Sequence, residues 1–180
     1  MGLGLRTSSY AVEEWKIVKL QKGGKNMYKK VLVPLDGSEL AECTLSHVKS
    51  LFKDGSVGEV TLLNVVKVDI PWAAMESNQY RKFDINAIRE PLFIESRKYL
   101  ADMESRLGSE GMKVRTVSLE GNRPADTITD YAREKGMNLI IIGTHGYTGF
   151  KKLLVGSVAS GVLNQSHIPV LLIRPESCQV

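Results

Sequence analysis

The residues best suited to chemistry in this 180-residue chain lie in one segment, Gly143-Thr144-His145-Gly146-Tyr147-Thr148-Gly149-Phe150-Lys151-Lys152-Leu153-Leu154-Val155-Gly156-Ser157. An apolar run precedes it and a stretch with helical spacing follows, so it reads as strand, loop and helix N-terminus. Glycines let the backbone take positive φ and approach a ligand closely. Loop amides can converge as an anion nest, and the next helix offers free N–H groups at its positive dipole end. All three features suit a polyphosphate. A second position is Asp36 in Val33-Pro34-Leu35-Asp36-Gly37-Ser38. A carboxylate after a strand can accept a hydrogen bond from a base or ribose hydroxyl; its plainer role is a turn or helix start.

Other chemistries are excluded or weaker. The chain has no Gly-x4-Gly-Lys-(Ser/Thr) and no Gly-x-Gly-x-x-Gly after its first strand, so neither an ordinary P-loop NTPase nor a dehydrogenase fits. His145 has no adjacent acidic motif and reads as structural rather than catalytic; His47 and His167 carry less support still. Lys151 and Lys152 are secondary phosphate contacts or solvated loop residues. No carboxylate cluster reads as a metal cage. Phosphoryl transfer needs a nucleophile, charge stabilisation and a base, whereas this motif supplies cradling. The expectation is a binder, not an enzyme, with at most slow hydrolysis and no assigned catalytic or metal-ligating residue.

These residues must be positioned by strands. Apolar, β-branched runs occur at Lys30–Leu35, Val60–Val66, Lys113–Leu119, Asn138–Thr144 and Pro169–Arg174. Most are too continuously apolar for a sheet with one wet face. Helical spacing fills the intervals: from an N-cap at Ser38 to Asp54-Gly55; from about Glu90, with Ile94, Leu100, Met103 and Leu107 on one face, to Gly108 or Gly111; from Pro124 to Gly136; and from Gly156 to Gln165. An irregular stretch spans about Asp69 to Glu90. Five strands joined by right-handed crossovers make a Rossmann-like, doubly wound parallel α/β sheet with helices on both faces. The final apolar strand, Pro169–Arg174, lies at one end of that sheet, and pairing with its copy in a homodimer would cover it.

Charge separates the termini from this body. The chain is +4 overall, but residues 1–30 are +5, from seven cations and two anions, leaving residues 31–180 at −1. Nucleic-acid binding is therefore not expected of the body. Residues 1–26 read as a flexible basic extension, 27–175 as one domain and 176–180 as a tail. No apolar run spans a bilayer and no signal peptide is evident, so a cytoplasmic protein is expected.

Val-Pro-Leu-Asp-Gly-Ser-Glu at Val33–Glu39, Leu-Leu-Asn-Val at Leu62–Val65 and Gly-x2-Gly-x9-Gly-Ser at Gly143–Ser157 together resemble the universal stress protein family, over about Met27 to Pro175. The resemblance implies strand order 3-2-1-4-5, homodimers and ATP binding, with magnesium or manganese bridging the phosphates. It implies that Asp36 and the backbone at Pro34 and Leu35 contact the adenosine and that Val65 pairs with the adenine edge. The phosphates would lie along Gly143, Thr144, His145, Gly146, Tyr147, Thr148 and Gly149 and against Gly156, Ser157, Val158 and Ala159. Two departures stand out: Gly121-Asn122-Arg123-Pro124 replaces the family's Gly-x-Pro, and Val158-Ala159-Ser160-Gly161 brings no polar or basic side chains. The function implied is nucleotide-dependent stress response or signalling. The alternatives are a nucleotide-independent dimeric interaction module and a slow ATP hydrolase.

Overall fold

The computed structural model describes residues 27–69, 84–144 and 155–174. Along the chain these form β1 (Tyr28–Pro34), α1 (Glu39–Glu42), α2 (Thr44–Lys53), β2 (Val57–Val66), α3 (Asn86–Gly108), β3 (Lys113–Glu120), α4 (Pro124–Glu134), β4 (Leu139–Gly143), α5 (Ser157–Gln165) and β5 (Val170–Ile173). The five strands make one parallel sheet in the order β3-β2-β1-β4-β5, as expected.

Side chains of successive strand residues point to opposite faces, and β1 is covered on both: Val31, Leu32 and Val33 are each 0% exposed. Val31, Val33 and Leu35 join Val60 and Leu62 against Leu45 and Val48 of α2 and Leu100, Met103 and Leu107 of α3. Leu32 and Leu63 join Ile140 and Ile142 against Ile128 and Ala132 of α4 and Ala159 and Val162 of α5. Burying one such side chain contributes about 1.5–3 kcal/mol. That packing, rather than intrinsic propensity, holds α5, whose nine residues are too few for a stable isolated helix.

Local chemistry sets the helix ends. The Ser38 hydroxyl accepts the Ala41 N–H at 3.1 Å and caps α1, while Gly55 and Gly136 turn the chain with φ of +72° and +61° after α2 and α4. At the α4/α5 crossing, a Cβ on Gly161 would lie 2.6 Å from Ala125 Cβ, so the helices meet where only glycine fits.

Helix α3 departs from expectation twice. It begins at Asn86, not near Glu90, and includes Pro91. Asp84 accepts the Asn86 N–H at 2.9 Å, and Arg89 pairs with Glu120 of β3 at 2.7 Å, anchoring the first turns despite the rung that proline removes. Ile94 is 60% exposed, while Ser96 is 6% exposed and takes the inward position with Leu100, Met103 and Leu107. Seen from the helix, Ser96, Leu100, Met103 and Leu107 form the true 4-3-4 stripe.

The two sheet edges differ. On β3, Lys113 and Arg115 both pair with Glu59, so that edge carries charge. Strand β5, Val-Leu-Leu-Ile, carries none.

Candidate functional site

The direction in which successive strands are added reverses at the centre of the sheet. From β1, α1 and α2 lead over one face to β2; from β4, α5 leads over the other face to β5. Beyond the carboxyl ends of β1 and β4 this leaves a cleft of the kind in which parallel sheets bind ligands.

Two residues release the tip of β1 from its neighbours. Pairing of β1 with β4 stops at Leu32↔Ile140, where the next rung would need an N–H from residue 34, and Pro34 has none. Pairing with β2 stops at Pro34↔Leu63, after the Leu35 N–H donates to the Leu63 carbonyl at 2.8 Å. The next rung would join the Val65 N–H to the Leu35 carbonyl. That carbonyl instead accepts the side-chain amide of Asn64 at 2.7 Å. By strand alternation, the Val65 N–H and C=O both face the space beyond β1.

Asp36 stands at the released tip and is exposed. Its Oδ1 accepts the Ser38 N–H at 3.1 Å and the Ser38 hydroxyl at 2.6 Å, and Gly37 makes the turn at φ +83°. The carboxylate is therefore held in one orientation by the residue that caps α1. Behind it the Tyr99 hydroxyl of α3 is buried without a hydrogen-bond partner in good geometry. Burial, then the nearby Glu42 and Asp36 carboxylates, push its pKa above the ordinary tyrosine value, against a smaller opposing effect of Arg106.

Across the cleft, Thr144 is 2% exposed. Its N–H donates to the Ile173 carbonyl at 2.8 Å and its carbonyl accepts the Gly156 N–H at 2.6 Å. Gly156 is the N-cap of α5, and the first intrahelical bond runs from the Ser160 N–H to the Gly156 carbonyl at 2.9 Å. The N–H groups of Ser157, Val158 and Ala159 precede that bond and have no intrahelical acceptor. Gly156 thus closes the turn with its own N–H, and the donors presented to a ligand belong to the three residues after it. Ala159 is 3% exposed, so it offers its backbone only.

The structure brings Pro34, Leu35, Asp36 and Val65 to one side of the cleft and Gly143, Thr144, Gly156, Ser157, Val158 and Ala159 to the other. His145, Gly146, Tyr147, Thr148, Gly149, Lys151 and Lys152 lie outside the described residues. Gly121 adjoins the cleft: its N–H donates to the Val66 carbonyl at 3.0 Å, and a Cβ there would strike the Thr127 hydroxyl and approach Val65 Cγ1 to 3.1 Å. His167 lies elsewhere, in a groove of about 420 Å³ beside α4 that none of the cleft residues lines. Among the described residues no group of three His, Cys, Asp or Glu side chains could hold a metal, and no helix is long and apolar enough to cross a membrane.

Sequence reasoning missed Asn64, Ser96 and Ser118. The Ser96 hydroxyl donates to Asn64 Oδ1 at 2.7 Å and lies 2.7 Å from the Ser118 hydroxyl. The available signal was the single polar residue in the run Val60-Thr61-Leu62-Leu63-Asn64-Val65-Val66 that falls on the face buried under α3.

Residues 27–174 match the family model described as the universal stress protein family. Universal stress protein MJ0577 of Methanocaldococcus jannaschii is 35% identical over 158 residues, 82% of this chain and 96% of that protein. Its solved structure superposes with a TM-score of 0.70 over the same shares of the two chains. Universal stress protein MJ0531 of the same organism is 30% identical over 91% of this chain and 92% of its own length. A universal stress protein family protein of Arabidopsis thaliana, solved with AMP bound, shares the fold at 17% identity and TM-score 0.55, over 81% of this chain and 91% of that one. With the family matched across the whole described sheet, this chain belongs to the universal stress protein family.

Proposed function

We propose that the cleft between β1 and β4 binds ATP and that the protein is a nucleotide-dependent module of stress response or signalling, not an enzyme. The observation that carries the reading is the pairing, across one cleft, of two sets of backbone groups that have no hydrogen-bond partner among the described residues. On the β2 side, the Val65 N–H and C=O suit the donor-acceptor edge of adenine, with Asp36 placed for a ribose hydroxyl. On the α5 side, the Ser157, Val158 and Ala159 amides suit phosphate at a positive helix end. Gly143 to Gly149 complete the phosphate cradle in this reading, and magnesium or manganese bridges the phosphates, the nucleotide supplying most of the ligands. The AMP bound to the Arabidopsis protein supports a nucleotide on this fold.

In this reading the site cradles the nucleotide through backbone donors, and turnover is at most slow. The uncharged β5 edge supports a homodimer built through Pro169–Arg174. A cytoplasmic location, where ATP is abundant, completes the proposal.

Isothermal titration of the full chain with Mg-ATP, alongside mass spectrometry of nucleotide released from freshly purified protein, tests it. Saturable binding at or below millimolar ATP is expected. No binding at millimolar ATP and no released nucleotide would overturn the reading in favour of a nucleotide-independent dimeric module.

A further inference from the structure

Asn64 does more than fill a half-buried position. Its side chain occupies the acceptor that would otherwise extend the β1–β2 ladder, because the Leu35 carbonyl takes the Asn64 Nδ2 at 2.7 Å and the register ends at Pro34↔Leu63. A carbonyl only accepts, so the amide nitrogen must face Leu35 and the amide oxygen must face α3. There the Ser96 hydroxyl donates to Asn64 Oδ1 at 2.7 Å. Ser96 has one proton and has spent it, so across the 2.7 Å contact with Ser118 it is Ser118 that donates. The chain Ser118, Ser96, Asn64, Leu35 therefore has a single direction, with every proton pointing toward the tip of β1. It joins β3, α3 and β2 to that tip through a 6%-exposed serine, in a region where a misoriented amide would set two acceptors against each other.

From this geometry we propose that Asn64 is a positioning residue, held in one orientation by Ser96 and Ser118, that keeps the Val65 peptide edge open to pair with a purine base. The inference rests on the nucleotide reading above, which supplies the base. It adds that base recognition depends on a residue that never touches the ligand. In its absence the simplest repair is local: the Leu35 carbonyl takes the Val65 N–H, the ladder gains a rung, and the edge offered to the base is consumed.

The test compares the wild-type full chain with Asn64→Leu, which keeps the approximate volume and removes the amide. Three quantities are measured: Mg-ATP affinity, affinity for inorganic tripolyphosphate, and hydrogen exchange of the Val65 amide without nucleotide. Expected are ATP binding weakened by about tenfold or more, tripolyphosphate binding unchanged, and Val65 exchange slowed by about tenfold or more as the rung closes. Wild-type ATP affinity together with wild-type Val65 exchange would overturn the inference and leave the nucleotide reading standing. If the wild type itself binds no ATP, the nucleotide reading fails, and unchanged Val65 exchange in Asn64→Leu would then sink the ladder argument separately. Should Asn64→Leu not fold, Ser118→Ala and Ser118→Thr decide the matter. The threonine keeps the hydroxyl and should bind ATP as wild type does, the alanine about threefold more weakly, and equal affinities would overturn the inference.

Discussion

The Gly156 N–H donates to the Thr144 carbonyl at 2.6 Å, while the Thr144 N–H donates to Ile173 at 2.8 Å. One buried residue thus ties the end of β4 both to the edge strand and to the first turn of α5, fixing the direction in which the helix presents its amides. Because Gly156 closes this turn, the first donor available to a phosphate is the Ser157 N–H.

Replacing Ser157 by proline should separate binding from folding. Proline is favoured at the first helical position, and Gly156 already has the extended conformation, φ −67° and ψ 162°, that a residue before proline requires. Hydrogen bonds to charged groups contribute about 1.5–3 kcal/mol, so Ser157→Pro should weaken Mg-ATP binding by about tenfold or more by titration calorimetry. Its melting temperature should stay within about 3 °C of wild type.

Strand β5 gives a test of the proposed dimer. Pairing to β4 uses the carbonyls of Pro169 and Ile173, so by alternation the N–H groups of Val170 and Leu172 point away from the sheet. Leu172→Pro removes an outward donor and no internal rung. It should convert a dimer to a monomer by light scattering with the far-ultraviolet circular dichroism retained, whereas Leu172→Ala, which keeps the N–H, should remain dimeric. Dimeric Leu172→Pro would exclude pairing through this edge.

Tyr99 sets an alkaline limit. Its folded pKa lies above the ordinary value, chiefly through burial and then through Glu42 and Asp36. Between the unfolded value of about 10 and the folded value, the native state holds a proton that the unfolded chain has released. Stability from this group is therefore complete below about pH 10 and declines as pH rises above it. Tyr99→Phe discards a buried hydroxyl that makes no hydrogen bond in good geometry. Urea denaturation should find it between neutral and about 1 kcal/mol stabilised at pH 7, with a smaller loss than wild type between pH 10 and 11.

At Gly161 two effects oppose each other. Alanine gains about 1 kcal/mol of helix propensity over glycine, but its Cβ would lie 2.6 Å from Ala125 Cβ, and overpacking costs about 1–3 kcal/mol. The clash should prevail, leaving Gly161→Ala destabilised by about 1 kcal/mol in chemical denaturation. Combining it with Ala125→Gly should recover less-than-additive destabilisation; strict additivity would mean that the two positions do not touch.

Much of this fold is legible where local chemistry decides the outcome. Ser38, Gly55 and Gly136 mark helix boundaries because capping and positive φ need nothing beyond their neighbours. The strand order does not follow from periodicity, since each crossover could return on either side, and it came with the family resemblance. Reading α3 by hydrophobicity selected Ile94 for the interior, whereas the inward position goes to Ser96, whose hydroxyl is needed by Asn64 and Ser118. The same limit applies in the cleft. Asp36 and the helix start at Gly156-Ser157 stand out as residue types after strands, whereas the role of Val65 is implied only by the family resemblance. The parts of Pro34 and Asn64 in ending two ladders depend on which strands flank β1 and in what register, and so emerge only with the sheet assembled.

The short contact between β1 and β4 has a mechanical meaning. Register there covers Val31↔Leu139 and Leu32↔Ile140, whereas β2 and β3 pair from Glu59↔Lys113 to Val66↔Glu120. Backbone register is thus shortest at the centre of the sheet, where Pro34 leaves the end nearest the cleft open, although side chains of β1 and β4 share both apolar cores. A molecule held by Val65 and Asp36 on one side and by the α5 amides on the other would bridge that open end with contacts the backbone ladder does not make.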